Sequence, residues 1–211
     1  MYSTLRTRWD IANTPLRDIP LFLFPKNKLV YFVGQSSTGK STIASRFRAK
    51  FPRINIQGEF ARSIMEKERW KRSDLENDKI FLALQRLIVE KHKELLSSVN
   101  RDFAIVDRSV IDTLFFCRQR FGKEFVQDLE FEIFRICEEM KQRAIVIHFP
   151  FEPKFIDDDG IRLLPSAENE ALFRSCLRDV NIKFHTLLAL NQEERVQEIL
   201  NVISAESKKI S

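Results

Sequence analysis

The sequence predicts an α/β fold in which a central parallel sheet is covered by helices on both faces. Two observations carry this. The runs "LVYFVG" (29–34), "FAIVD" (103–107) and "AIVIHF" (144–149) are apolar along almost their whole length, as strands buried on both sides must be. Stretches of helical periodicity separate them, and strands alternating with helices build parallel sheets.

Taken in order, residues 1–27 are irregular and punctuated by Pro15, Pro20 and Pro25. They read as an arm or linker, leaving 28–211 as one domain. The first strand ends at Gly34. "KSTIASRFRAKF" follows with helical spacing at Ile43, Phe47 and Phe51, and "INIQG" reads as a short strand. Residues 61–99 are helical and charged, broken at Arg72-Ser73-Asp74. Their later part is a long amphipathic helix with Ile80, Leu84, Leu87, Ile88 and Leu95 on its apolar face. After the strand ending at Asp107 come two helices split near Gly122. The strand 144–149 leads into a loop around 151–166 that carries "FIDDDGIR". A helix from about Ser166, a strand "IKFHTL" and a closing helix from Asn191 complete the chain.

The 211 residues are 44% hydrophobic, enough for a packed core, and include nineteen phenylalanines. The net charge of +5 comes from many charges of both signs. It contains no lysine- or arginine-rich tract, which argues against nucleic acid as the partner and suits a small polyanion such as a nucleotide. The apolar runs fall short of a membrane span, and the N-terminus lacks a signal-peptide core. Cys117, Cys137 and Cys176 stand far apart without CxxC spacing, as expected of buried, reduced thiols in a cytoplasmic protein. His92, His148 and His185 have no partner at metal-ligand spacing and receive no role.

"GQSSTGKS", Gly34 to Ser41, fits G-x-x-x-x-G-K-[ST], the phosphate loop of P-loop NTPases. The glycines let the backbone wrap a phosphate with successive N–H groups pointing inward. The helix that follows adds its free N–H groups and dipole. Gly34, Gln35, Ser36, Ser37, Thr38, Gly39, Lys40, Ser41 and Thr42 are therefore the candidate nucleotide-binding residues. Lys40 would reach the β- and γ-phosphates and Ser41 would ligate Mg²⁺.

Three further places bear on the reaction. Asp107 ends the strand expected beside the loop, where it either holds Mg²⁺ or caps the next helix. Arg108 next to it either faces phosphate oxygens or makes a surface ion pair. Glu59, just past the second strand, can accept a substrate hydroxyl, with Phe60 offering a ring for stacking and Arg62 a nearby cation. The alternative for Glu59 and Arg62 is a pair of surface charges on a helix.

Four segments in order, "GQSSTGKST", "GEFAR", "IVDRSVIDTLFF" and "FIDDDGIR", resemble the signatures of the NadR-type ribosylnicotinamide kinase domain and its small P-loop AAA-type ATPase relatives. The likeness covers roughly residues 28–200. It implies a three-layer P-loop fold, ATP and Mg²⁺ as cofactors, Glu59 facing the substrate, and Asp107 on the metal side. It places Asp158, Asp159 and Arg162 in a lid over the site, with the two aspartates toward substrate hydroxyls or hydrated Mg²⁺ and Arg162 toward phosphate. The implied reaction, in NAD metabolism, is transfer of phosphate to the 5′-hydroxyl of a ribosyl compound. Asp107-Arg108-Ser109 departs from the Asp-Thr-Asp usual in the bifunctional members and looks more like deoxynucleoside kinases or the broader ATPases. The arm faintly resembles the bridge between the halves of the bifunctional proteins. Three classes stay open on the residues: a small-molecule kinase, a nucleotide-dependent ATPase or switch without an acceptor, and a nucleic-acid end kinase.

Overall fold

The computed structural model describes residues 28–98, 103–123, 127–153 and 165–208. Among them five strands form one parallel sheet: β1 (Leu29–Val33), β2 (Asn55–Gln57), β3 (Ala104–Asp107), β4 (Ala144–His148) and β5 (Phe184–Thr186), in the order β2-β3-β1-β4-β5. The helices are α1 (Lys40–Lys50), α2 (Phe60–Glu68), α3 (Asp78–Ser98), α4 (Val110–Phe121), α5 (Gln127–Arg143), α6 (Ala167–Asp179) and α7 (Gln192–Lys208). The predicted break at Arg72-Ser73-Asp74 is a 3₁₀ turn, Arg72–Glu76, leading into α3. The arm, 1–27, and "FIDDDGIR", with Asp158, Asp159 and Arg162, lie outside the described residues.

All five residues of β1 are buried. Their alternation sends Leu29, Tyr31 and Val33 into a core shared with α3 to α6, and Val30 and Phe32 into a second core under α1 and α7. The two cores make the three layers. Phe32 anchors the second one, with its ring 5.1 Å from Phe149 and 6.1 Å from Phe47. The three cysteines are buried and free. No helix among the described residues is long and apolar enough to cross a membrane.

The register fixes the site. Phe32 pairs with Asp107 and Val33 with His148, so the C-terminal ends of β1, β3 and β4 lie side by side. This is the edge where open parallel sheets bind ligands.

Candidate active site

Gly34 ends β1 at φ 143°, and a Cβ there would sit 2.4 Å from the Phe149 carbonyl oxygen. Only glycine lets the chain leave the sheet at this point. Gly39 caps α1 at φ 90°, and a Cβ on it would come within 3.2 Å of Arg195 Nη1. Between them, Lys40 Nζ donates to the Gly34 carbonyl (2.8 Å), to the Gln35 carbonyl and to Thr38 Oγ1 (3.1 Å). Lys40 is buried. Burial and the repulsion of Arg108, opposed by Asp112, Asp107 and Glu59, lower its pKa to about 7.

Asp107 stands where the sequence put it, beside the loop. Ser41 Oγ donates to its Oδ2 at 2.6 Å, and its buried Oδ1 has no partner among the described residues. A hydroxyl and a carboxylate with a spare buried oxygen are the hard donors Mg²⁺ takes, which commonly completes its shell with phosphates and water. The residues thus fit the ion.

Arg108 is central. Its Nε donates to Glu59 Oε1 (2.8 Å), Nη1 to Asp112 Oδ1 (3.3 Å) and Nη2 to Ser36 Oγ (3.4 Å), and its guanidinium lies 5.3 Å from the Phe116 ring centre. Those carboxylates raise its pKa against the opposing effect of burial. Burial also works to raise the Glu59 pKa, but Arg108, Lys40 and Arg62 outweigh it and hold that carboxyl below its ordinary value. Glu59 and Arg108 thus meet as an ion pair that lines the cleft, with Glu59 at the N-cap of α2. Arg62 is exposed on the cleft wall, and Phe60 is half-buried against His92, ring centres 4.9 Å apart.

One cleft of 1820 Å³ joins these groups. Typical small-molecule pockets measure roughly 300–1,000 Å³, so it has room for two ligands. The phosphate loop forms one end. The other is walled by Phe60 of α2, Phe116 of α4 and a face of α3 bearing Phe81, Gln85, Ile88 and His92. Gln85 Oε1 and His92 Nδ1 are buried without a partner among the described residues. Burial drives the His92 pKa down to about 3, so its ring is neutral.

Four of these residues were not selected from the sequence. Asp112 is almost fully buried and accepts from Ser109 N (2.8 Å), Gly34 N (3.3 Å) and Arg108. Burial pushes its pKa up, against Arg108 and Lys40. Its signal was legible as S-x-x-D, a capping box at the start of α4. Gln85 and His92 announce themselves as polar residues on the apolar face of α3. Arg195 of α7 donates to the Thr38 carbonyl (2.9 Å) and the Ala189 carbonyl (3.1 Å), bracing the loop; nothing in its local sequence marks it. The side chain of Gln35 turns away from the loop toward α6.

No curated protein matches the sequence. The fold is similar to that of a NadR protein solved with NR, at TM-score 0.63 and 19% identity, over 86% of this chain and 52% of that one. The chain thus spans about half the length of that NadR protein. A deoxyadenosine kinase from M. mycoides (TM-score 0.58, 18% identity, 84% of this chain and 99% of that one) has the same fold. So has a shikimate kinase from Acinetobacter baumannii (TM-score 0.54, 15% identity, 85% and 94%). These similarities agree with the expected three-layer P-loop fold and the likeness to NadR. A family model described as an AAA domain matches residues 29–195, and with the loop, strand order and Ser41–Asp107 pair described above, the chain belongs to that AAA domain family of P-loop proteins.

Proposed function

We propose that this protein is an ATP- and Mg²⁺-dependent kinase that phosphorylates the 5′-hydroxyl of a ribosyl compound, nicotinamide riboside or another nucleoside. The observation that carries this is the single cleft. It runs from a phosphate cradle, past a carboxylate–guanidinium pair, to an aromatic chamber with buried polar atoms of its own. A hydrolase that uses only water has no need of such a chamber, whereas a flat, polar-edged acceptor fills it. The similarity to kinases, among them a NadR protein solved with NAD and AMP-PNP, supports the reading.

The phosphates lie against the loop from Gly34 to Thr42, where the Gly34 N–H is already given to Asp112. Lys40 exchanges the loop carbonyls for phosphate oxygens, which restores the full charge that burial suppresses. Ser41 and Asp107 would hold Mg²⁺, which supplies neutralisation of phosphate charge when bound. Glu59, ionised at neutral pH, accepts the hydrogen bond of the acceptor hydroxyl. The oxygen attacks the γ-phosphorus in line, the bond to the bridging oxygen breaks, and ADP leaves with that electron pair. The hydroxyl proton passes to Glu59. Arg108 sits between Glu59 and Ser36 and faces the charge of the phosphoryl group in transit. Asp158, Asp159 and Arg162 are proposed to contribute from the loop after β4. The chemistry requires no nucleic acid and no membrane.

The test is incubation with Mg²⁺–ATP and a panel of nucleosides that includes nicotinamide riboside, with mass detection of product. A monophosphate from at least one acceptor is expected. ATP hydrolysis indifferent to every acceptor would instead favour the switch or ATPase reading, which the AAA description of the family also accommodates.

A further inference from the structure

The side chain of Gln35 ties the phosphate loop to α6. Its Nε2 donates to the Ser166 carbonyl (3.1 Å) and to Glu170 Oε2 (3.3 Å), and its Oε1 accepts from Ser166 N (3.1 Å). The amide thus pairs with a peptide group from both sides at the start of α6. Meanwhile its own main-chain carbonyl receives Lys40 Nζ and Thr38 Oγ1 (3.0 Å). Gln35 is almost fully buried.

Glu170 collects the other connections. Its Oε2 accepts from the Phe151 N–H (3.0 Å), and its Oε1 accepts from Arg174 Nε (2.8 Å) and lies 3.4 Å from His148 Nε2. These donors outweigh burial and hold the carboxyl near the bottom of the carboxylate range. His148 is itself fully buried, stacked on Phe173 with ring centres 5.5 Å apart, with Nδ1 3.3 Å from Thr186 Oγ1. One carboxylate therefore ties together the ends of β4 and α6 and, through Gln35, the loop that carries Lys40.

We infer that Glu170 is a positioning residue for the phosphate loop, acting through Gln35, and that nucleotide binding and the anchoring of Phe151 and Ser166 are coupled. The inference rests on the loop being a nucleotide site. Coupling is reciprocal: whatever fixes Gln35 favours the ordered loop, and a nucleotide that orders the loop fixes Gln35 against Ser166 and Glu170.

The experiment uses the full chain and MgADP. Affinity is measured by calorimetry, and amide exchange is followed at Phe151 and in the first turn of α6. In the wild type, MgADP slows exchange at both places. Glu170→Ala and Gln35→Ala each weaken MgADP about tenfold, as expected for a lost buried hydrogen bond, and abolish the slowing. Glu170→Gln, which keeps an oxygen for Phe151 N and Gln35 Nε2, restores most of both. Arg174→Ala, which removes only the outer donor, changes little. A purely structural Glu170 would lower the melting temperature and leave affinity and coupling intact, and that result overturns the inference. So does wild-type exchange that ignores bound MgADP. If Glu170→Ala does not fold, the Gln35→Ala and Glu170→Gln pair decides. Failure of the wild type to bind MgADP is a separate result, which removes the nucleotide reading and this inference with it.

Discussion

On the loop side of the cleft the chain holds its own cations: Lys40 rests on carbonyls and Arg108 is held by Glu59 and Asp112, while Asp107 Oδ1 is left spare among the described residues. On the α3 side, Gln85 and His92 bring buried polar atoms to the cavity wall that no group among the described residues satisfies. A buried polar atom without a partner costs about 1–3 kcal/mol, and a core helix gains nothing from two of them. The contrast teaches that the first half holds its cations in advance, while the second keeps uncharged polar atoms spare, which the proposed acceptor would use.

The sharpest way to break this contrast is at Lys40. Lys40→Ala should reduce phosphoryl transfer about 10³-fold, the scale of losing one preorganised electrostatic contact. Steady-state kinetics with an unchanged melting curve would establish it; near-normal turnover would show that the loop is not catalytic. Glu59→Gln should lower kcat about 10²-fold with a smaller change in the KM for ATP. Equal loss in both would mean that Glu59 only holds Arg108.

His92 tests the other side through stability. Its folded pKa of about 3 lies below the ordinary 6.5, so between these values the unfolded chain binds the extra proton and stability falls as pH falls. At pH 5 this amounts to at most about 2 kcal/mol. Urea titrations at pH 7 and pH 5 should show that His92→Phe loses less stability over this step than the wild type. An identical loss would show that His92 is not neutral in the folded protein. Gln85→Leu should change the KM for the preferred acceptor about tenfold, the worth of one hydrogen bond, and leave the KM for ATP alone. No change for any acceptor would remove Gln85 from the acceptor site.

The two halves were also unequally legible. The loop is a run of consecutive residues whose geometry the glycines dictate, and the strands around it are apolar on both faces, so fold and phosphate site could be read together. Asp107 followed from its place at a strand end. The pairing of Arg108 with Glu59 did not, because it depends on β2 and β3 lying side by side. Of the chamber, the sequence singled out Phe60 and not its assembly. Phe60, Gln85, His92 and Phe116 come from three helices, and only the packing of α2 and α4 on α3 brings them to one cavity. His92 looked isolated because its neighbours, Tyr31 and Phe60, are distant in sequence.

Arg108 reaches its three partners from a left-handed backbone, φ 79°, with its N–H fixed to the Phe32 carbonyl at 2.9 Å. That conformation costs a side-chain-bearing residue about 1 kcal/mol relative to glycine. Removing Arg108 relieves that backbone but leaves Glu59 and the buried Asp112 without their cation, a loss of about 3–5 kcal/mol that outweighs the relief. A saturation library sorted for thermal survival should therefore keep arginine at position 108, as should the same library sorted for turnover.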